Sequence, residues 1–299
     1  MNKRILVIYF SQSGQLSDIV ENFTSPLVKA GHSVEKVRVQ PAEPYPFPWT
    51  SKTFFAQMPA CVLQQPAGLR EFELKSQSYD LIVLGYQAWF LSPSIPVNSI
   101  LQHPSVRAIL NNTPVITITG ARNMWISAME DVKKILKNAN ARLVGNIALV
   151  DKHHNFVSFV TILYWMFTGK KDKYLNLFPV PGVNDNDIKH TAVFGATVDK
   201  YLQAENWDGL QHELVQQKAV DIRYRLMFIE SKAKRIFGLW AAFIVKRKKR
   251  TPWLVAFKYY LLIALFIAAP LILTVDAIFF KPFLSKRIKK QKQYYSDVK

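Results

Sequence analysis

The sequence predicts an α/β fold, a doubly wound parallel sheet of five strands followed by a helical membrane extension. Three observations carry this expectation. Apolar runs rich in β-branched and aromatic residues recur at residues 5–10, 79–86, 114–120 and 142–150, and such runs mark strands covered on both faces. Segments with helical spacing stand between them, so strand and helix alternate as a parallel sheet requires. The charge is lopsided: residues 223–299 hold 18 Lys and Arg against 3 Asp and Glu, whereas residues 1–222 hold 21 against 18. The front is therefore an ordinary globular domain, and the last quarter has another environment.

A chain of 299 residues, 49% of them hydrophobic, can bury a sizeable core in one or two domains. The single cysteine, Cys61, excludes an internal disulfide framework and is expected as a small buried hydrophobe. No apolar signal core precedes the first strand, so the front domain is expected on the cytoplasmic side.

The organising stretch comes first. Residues 5–10 form a buried strand that runs into Ser11, Gln12, Ser13, Gly14, Gln15 and Leu16, after which Leu16, Ile19, Val20, Phe23 and Leu27 recur at helical spacing up to Gly31. Hydroxyl donors, a permissive glycine and a helix N-terminus at one spot suit a phosphate. A tight Ser/Gly turn without a ligand is the alternative. This loop resembles the first loop of the flavodoxin-like flavoproteins, of the form Ser/Thr-x-Ser/Thr-Gly-x-Thr, which wraps the phosphate of FMN. Leu16 departs from that form where a last hydroxyl would stand, and Ser17 lies one place late.

A second strand is expected at residues 33–39. The four prolines of residues 41–48 exclude helix and central strand, so this segment is an ordered loop or lid. A short helix over residues 53–63 and a connection over 69–75 lead to the third strand. Behind that strand, Gln87, Ala88, Trp89 and Phe90 lie where ligands sit in an open α/β sheet. They resemble the family's second flavin loop, which implies Trp89 or Phe90 as the ring stacked on the flavin; both rings plugging the core is the alternative.

A helix over residues 97–110 leads to the fourth strand, which ends in Thr119, Gly120, Ala121, Arg122 and Asn123 and resembles the third loop. The resemblance implies Asn123 at the flavin's polar edge, and Arg122 at a flavin carbonyl, at an acidic substrate group or in a surface ion pair. A helix over 127–137 and a strand over 142–150 complete five βα steps. The resemblance covers residues 3–150 and a last helix over 187–202, and it implies the strand order 2-1-3-4-5.

Residues 151–186 interrupt this pattern, and the uncharged aromatic run 156–167 at their centre is too short to span a bilayer. An interfacial helix, an apolar wall over the flavin and an extra core helix all fit it. His153 and His154 are weak candidates for protonating a substrate; no second ligand cluster accompanies them, so no metal is expected.

From residue 224 basic and apolar residues alternate as in an amphipathic helix lying on anionic lipid. The basic run 246–250 then precedes an uncharged stretch at 259–275, and residues 253–280 are long enough for one transmembrane helix. The basic charges flank apolar segments, which disfavours a nucleic-acid tail. A single span kinked at Pro270, with the basic tail beyond the bilayer, is expected over a re-entrant hairpin.

The expected organisation is a flavodoxin-like FMN-binding domain at 1–205 with the insertion 151–186, a membrane-surface segment at 206–250, a transmembrane helix at 251–280 and a basic tail at 281–299. The resemblance and the anchor together imply an FMN-dependent oxidoreductase for a lipophilic small molecule; NAD(P)H is one candidate hydride donor, which the sequence does not name. A quinone or an alkylated cyclic ketone suits such an enzyme, and the flavodoxin-type partners of dialkylresorcinol-forming enzymes are the nearest resemblance. A homo-oligomer or a biosynthetic partner enzyme is compatible with it. A membrane-tethered electron carrier and a flavin-less scaffold are the rival expectations.

Overall fold

The computed structural model of the chain describes residues 2–298. Five parallel strands form the central sheet in the order β2-β1-β3-β6-β7, the 2-1-3-4-5 order of the flavodoxin-like doubly wound fold. They are β1 (Arg4–Tyr9), β2 (Ser33–Arg38), β3 (Leu81–Tyr86), β6 (Pro114–Ala121) and β7 (Arg142–Val150); β4 (Ala88–Trp89) and β5 (Ser92–Pro93) pair separately as a hairpin. β1 lies between β2 and β3, with Leu6 opposite Glu35 and Ile82. Every residue of β3 is buried, as its apolar run predicts.

Alternation along the strands divides the core in two. Ile5, Val7 and Tyr9 face α1 (Gln15–Lys29), α8 (Asp185–Ala204) and α9 (Leu210–Gln216). Leu6, Ile8 and Phe10 face α4 (Ile95–Gln102), α5 (Pro104–Leu110) and α6 (Ile126–Asn138). Backbones of α1 and α8 touch, because a Cβ on Gly195 would stand only 2.0 Å from the Phe23 carbonyl oxygen.

Three local expectations change, two of them at prolines. The helix expected over 97–110 breaks at His103, which is extended at ψ 131°, and Pro104 opens α5 in its first turn. The helix expected over 53–63 is likewise α2 (Ser51–Ala56) and α3 (Met58–Val62), divided ahead of Pro59. The loop behind β3 is the β4–β5 hairpin, which turns at Phe90 and Leu91, both at positive φ. In the insertion, α7 (Asn155–Thr168) ends at Gly169.

The basic amphipathic helix is present as α10 (Tyr224–Val245), but only part of its apolar surface is free. Phe237, Ala241 and Ile244 are buried against Met58, Cys61, Phe90 and Ile95, whereas Ile236 and Leu239 of the expected lipid face stay exposed. Thr251–Phe280 is then one helical run, long and apolar enough to cross a membrane. It comprises α11 (Thr251–Ile263), a π-helical turn at Ala264–Ala268, α12 (Ala269–Val275) and a second π-helical turn at Asp276–Phe280. The first π turn precedes Pro270, which cannot donate a backbone hydrogen bond; the wider turn carries the helix across the position expected to kink.

Last, α13 (Ser285–Ser296) returns to the α/β domain. Tyr294 donates to Glu130 Oε2 at 2.9 Å, Gln211 donates to the Ser296 carbonyl at 2.8 Å, and Lys133 donates to the Asp297 carbonyl at 2.9 Å. The tail expected beyond a bilayer lies instead on the domain that carries the sheet.

Candidate functional site

Three loops leave the carboxyl ends of β1, β3 and β6, which are neighbours in the sheet. In the first, Gly14 caps α1 at φ +91°, a left-handed conformation that a side chain strains. An added Cβ there would meet nothing within 4 Å, so backbone conformation and not space demands the glycine. Asp18 N–H is the first to bond within the helix, to the Gly14 carbonyl, which leaves the amides of Gln15, Leu16 and Ser17 outside the helix's own bonding.

The hydroxyls of Ser11 and Ser17 are buried and have no hydrogen-bond partner, and Ser13 is half-buried in the same turn. Gln12 donates to the carbonyls of Tyr45 and Pro46 at 3.2 Å each, and so ties the proline-rich segment over the loop. Gln15 is engaged at both ends of its amide by the Val183 backbone, and Leu16 turns into the core. Of the six residues predicted around the phosphate, Gln12, Gln15 and Leu16 are engaged within the protein, and the unpartnered hydroxyls of the turn are those of Ser11 and Ser17.

The second loop separates its two aromatics. Trp89 meets Phe10, Tyr45 and Trp49 edge to face, with ring centroids 6.0, 5.3 and 5.6 Å away. Phe90 points the other way, against Phe54 at 4.7 Å and toward Phe257 of the C-terminal extension. Trp89 is thus beside the first loop, and Phe90 belongs to the docking of the tail. Gln87 keeps a buried Oε1 without a partner, while Ala88 continues into the hairpin.

In the third, Thr119, Gly120 and Ala121 remain within β6. Thr119 shares a face with Thr117, on the α6 side, opposite Tyr86 across the ladder, so its unpartnered hydroxyl is in the core and not at the strand end. Beyond it, Arg122 donates to the carbonyl and the side-chain oxygen of Asn155 at 3.2 and 3.0 Å, and Asn123 donates to the same Oδ1 at 2.6 Å. Burial pulls the Arg122 guanidinium down to about 10, against the pull of Asp151. Asn123 retains a buried, unpartnered Oδ1.

The two histidines differ. Asp151, 1% exposed, accepts from the backbone N–H of His153 at 2.9 Å, stands 2.6 Å from His153 Nδ1 and accepts from Ser158 at 2.7 Å. Such a carboxylate fixes the ring and leaves Nε2 as its free nitrogen. His154 is exposed and packs beside Phe156.

Sequence reasoning missed three neighbours of the loops, Tyr45, Trp49 and Asn155, and one buried acid outside them, Glu230. The aromatics among the prolines at 45–49 were a usable signal for the first two. Glu230, 1% exposed, accepts from the Ser127 N–H at 2.6 Å at the start of α6, and burial pushes its carboxyl up to about 7. Its signal was its sign, an acid inside a basic segment.

Of nine buried side-chain polar atoms without partners among the described residues, four, Ser11 Oγ, Ser17 Oγ, Gln87 Oε1 and Asn123 Oδ1, occur at three adjacent strand ends. Their types fit FMN, with hydroxyls and free amides for a phosphate and amide groups for a heterocycle's polar edge. Two cavities lie elsewhere. One of about 310 Å³, lined by Lys3, Asp80, Arg142 and Glu205, is at the amino ends of the strands. The other, of about 280 Å³, lies between α6 and α10. Ligands of this fold bind at the carboxyl ends, so the strand ends mark the site.

A scan against protein-family models finds no match, and no curated protein matches the sequence. Among solved structures the chain is similar to a flavoprotein in complex with FMN from Lactobacillus acidophilus NCFM, at 15% identity and a TM-score of 0.41, over 49% of this chain and 93% of that one. It is similar also to a flavodoxin from the domain Archaea, at 8% identity and a TM-score of 0.38, over 67% and 99%. A flavone reductase aligns at 9% identity and a TM-score of 0.37, over 67% and 63%. At these overlaps the fold assignment stands on the strand order of the chain itself.

Proposed function

We propose that this chain is a membrane-attached, FMN-dependent oxidoreductase that acts on a lipophilic small molecule. The observation that carries the reading is the set of unpartnered buried polar atoms at the ends of β1, β3 and β6, beside the ring of Trp89. Bound FMN would supply two-electron transfer. Ser11, Ser13, Ser17 and the amide end of α1 would hold its phosphate; Gln87 and Asn123 would meet its polar edge; Trp89 would cover its ring. His153, oriented by Asp151, would hold or deliver a proton at Nε2.

Surroundings that are aromatic on one side and apolar on the other support this substrate class. Tyr45, Trp49 and Trp89 form one wall, and Trp49 N–H donates to the Met166 carbonyl of α7 at 2.8 Å, which joins that wall to the apolar insertion. A quinone or an alkylated cyclic ketone suits such walls, and aromatisation of a dialkylcyclohexanedione to a dialkylresorcinol is the narrowest form of the proposal.

Purification in detergent tests the flavin, and a substrate screen tests the chemistry. A yellow protein that releases FMN on denaturation and reduces quinones with NADH or NADPH, or aromatises a dialkylcyclohexanedione, supports the reading. A yellow protein that only exchanges electrons with a reductase makes it a carrier. A colourless one that FMN does not reconstitute makes it a scaffold.

A further inference from the structure

We propose that the chain attaches to one leaflet of a bilayer, with Thr251–Phe280 lying in the membrane plane instead of crossing it. The inference rests on the membrane attachment proposed above, but not on the flavin chemistry. It starts from where the helix is held. Near its beginning Phe257, fully buried, packs between Phe90, Phe237 and Trp240. At its middle Phe266 stacks on Phe156 of α7 at 5.6 Å and meets Phe159 at 5.3 Å. Near its end Asp276, 3% exposed, accepts from the Tyr224 hydroxyl at 3.1 Å.

At 1.5 Å per residue these anchors span about 29 Å, close to the roughly 30 Å of a hydrocarbon core. The length that a spanning helix would give to lipid is therefore tethered to the domain at both ends, by buried Phe257 and Asp276, and touched at its middle by Phe266, while most of its apolar surface stays uncovered by protein. A span would pull Asp276 away from Tyr224 and leave its carboxyl against acyl chains, where charge is expensive. It would also strip α13 from Glu130, Lys133 and Gln211.

The opposite face suits lipid. Tyr259, Ile263, Ile267, Leu271 and Ile278 are each more than half exposed. The first four repeat every fourth residue, which in a regular α-helix drifts about 40° per step. The π turn at Ala264–Ala268 has more residues per turn and holds this stripe in line. Charge names the surface it meets: the exposed run Lys246, Arg247, Lys248, Lys249 and Arg250 precedes the helix, and α13 adds Lys286, Arg287, Lys289, Lys290 and Lys292 after it. Basic clusters thus stand before and after the helix, and α13 is docked on the domain, an arrangement that suits anionic headgroups of a single leaflet.

The test places the full-length protein on vesicles of phosphatidylcholine and phosphatidylserine and labels single-cysteine variants with an impermeant maleimide. Lys248→Cys and Gln293→Cys bracket the helix, Glu73→Cys reports the domain, and native Cys61 is buried. All three added thiols reacting from the same side, and an environment-sensitive probe on Ile267→Cys shifting to the blue, support one-leaflet attachment. Gln293→Cys protected until detergent is added, while the other two react, overturns it in favour of a span. Failure of the chain to float with the vesicles overturns the attachment itself, whatever FMN it retains. Ile263→Asp with Leu271→Asp is expected to lower vesicle partitioning at least tenfold; unchanged partitioning of this pair also overturns the proposal.

Discussion

The Asp151 carboxylate stands 2.6 Å from Nδ1 of His153, while its second oxygen accepts from Ser158 in α7. The buried carboxylate thus joins His153 to α7, while the Asp151 backbone N–H donates to the Ala121 and Arg122 carbonyls of the third loop. His153→Gln is expected to lower turnover at least tenfold, and His154→Gln to leave it near its original value. Asp151→Asn keeps the shape but removes the charge that holds the ring, so turnover should fall while KM changes little. Steady-state kinetics check all three. Equal effects of the two histidine variants would remove His153 from the chemistry.

Glu230 makes stability depend on pH. Its folded carboxyl titrates at about 7 against 4.5 for an ordinary one, so the folded chain binds the extra proton between those values. Stability then falls as pH rises from about 4.5 through 7 and levels off above, by an amount of order 3 kcal/mol. Glu230→Gln should flatten that slope in thermal melts taken across the same range. A slope that survives the substitution assigns it to other groups.

Lys234 fastens α10 to the domain through Asp131 Oδ2 at 2.5 Å, Ser92 Oγ at 2.7 Å and the Leu91 carbonyl at 2.9 Å. Lys234→Met leaves Asp131 largely buried and unpaired, a loss of about 3 kcal/mol or more. Asp131→Asn with Lys234→Met should recover much of it, because no lone charge remains. Denaturant titration of the three variants gives the coupling, and a double variant as unstable as the single one would show that the ion pair is not what holds α10.

Trp165, 5% exposed at the end of α7, tests the insertion as a wall for long substrates. Trp165→Ala should raise KM for long-chain quinones more than for short ones, since only the former lose buried apolar area. Equal losses at both chain lengths would make α7 a packing helix alone.

The sheet was legible because β1, β3 and β6 are buried on both faces and therefore appear as apolar runs, while Gly14 and its flanking serines announced a turn into a helix. What stayed hidden depends on contacts distant in sequence. Trp89 and Phe90 are adjacent, and only the backbone at Phe90 and Leu91, at positive φ, sends one ring to the first loop and the other to the tail. The apolar stripe of α10 has the same spacing whether lipid or Met58 and Ile95 cover it, so periodicity alone could not choose. Glu230 and Asp276 were the informative residues there, because a lone acid in a basic, apolar segment needs a buried partner.

The most direct test of the central claim is an FMN titration of the flavin-stripped protein, followed by fluorescence quenching, with Ser11→Ala, Ser17→Ala and Gly14→Val beside the parent chain. Each hydroxyl removed should weaken affinity by about 1.5 to 3 kcal/mol, the range for a hydrogen bond to a charged group. Gly14→Val should weaken it further by straining the left-handed turn. Saturable binding by the parent with losses in all three variants is the predicted result; no binding by the parent, or FMN affinity unchanged in all three variants, would contradict the account.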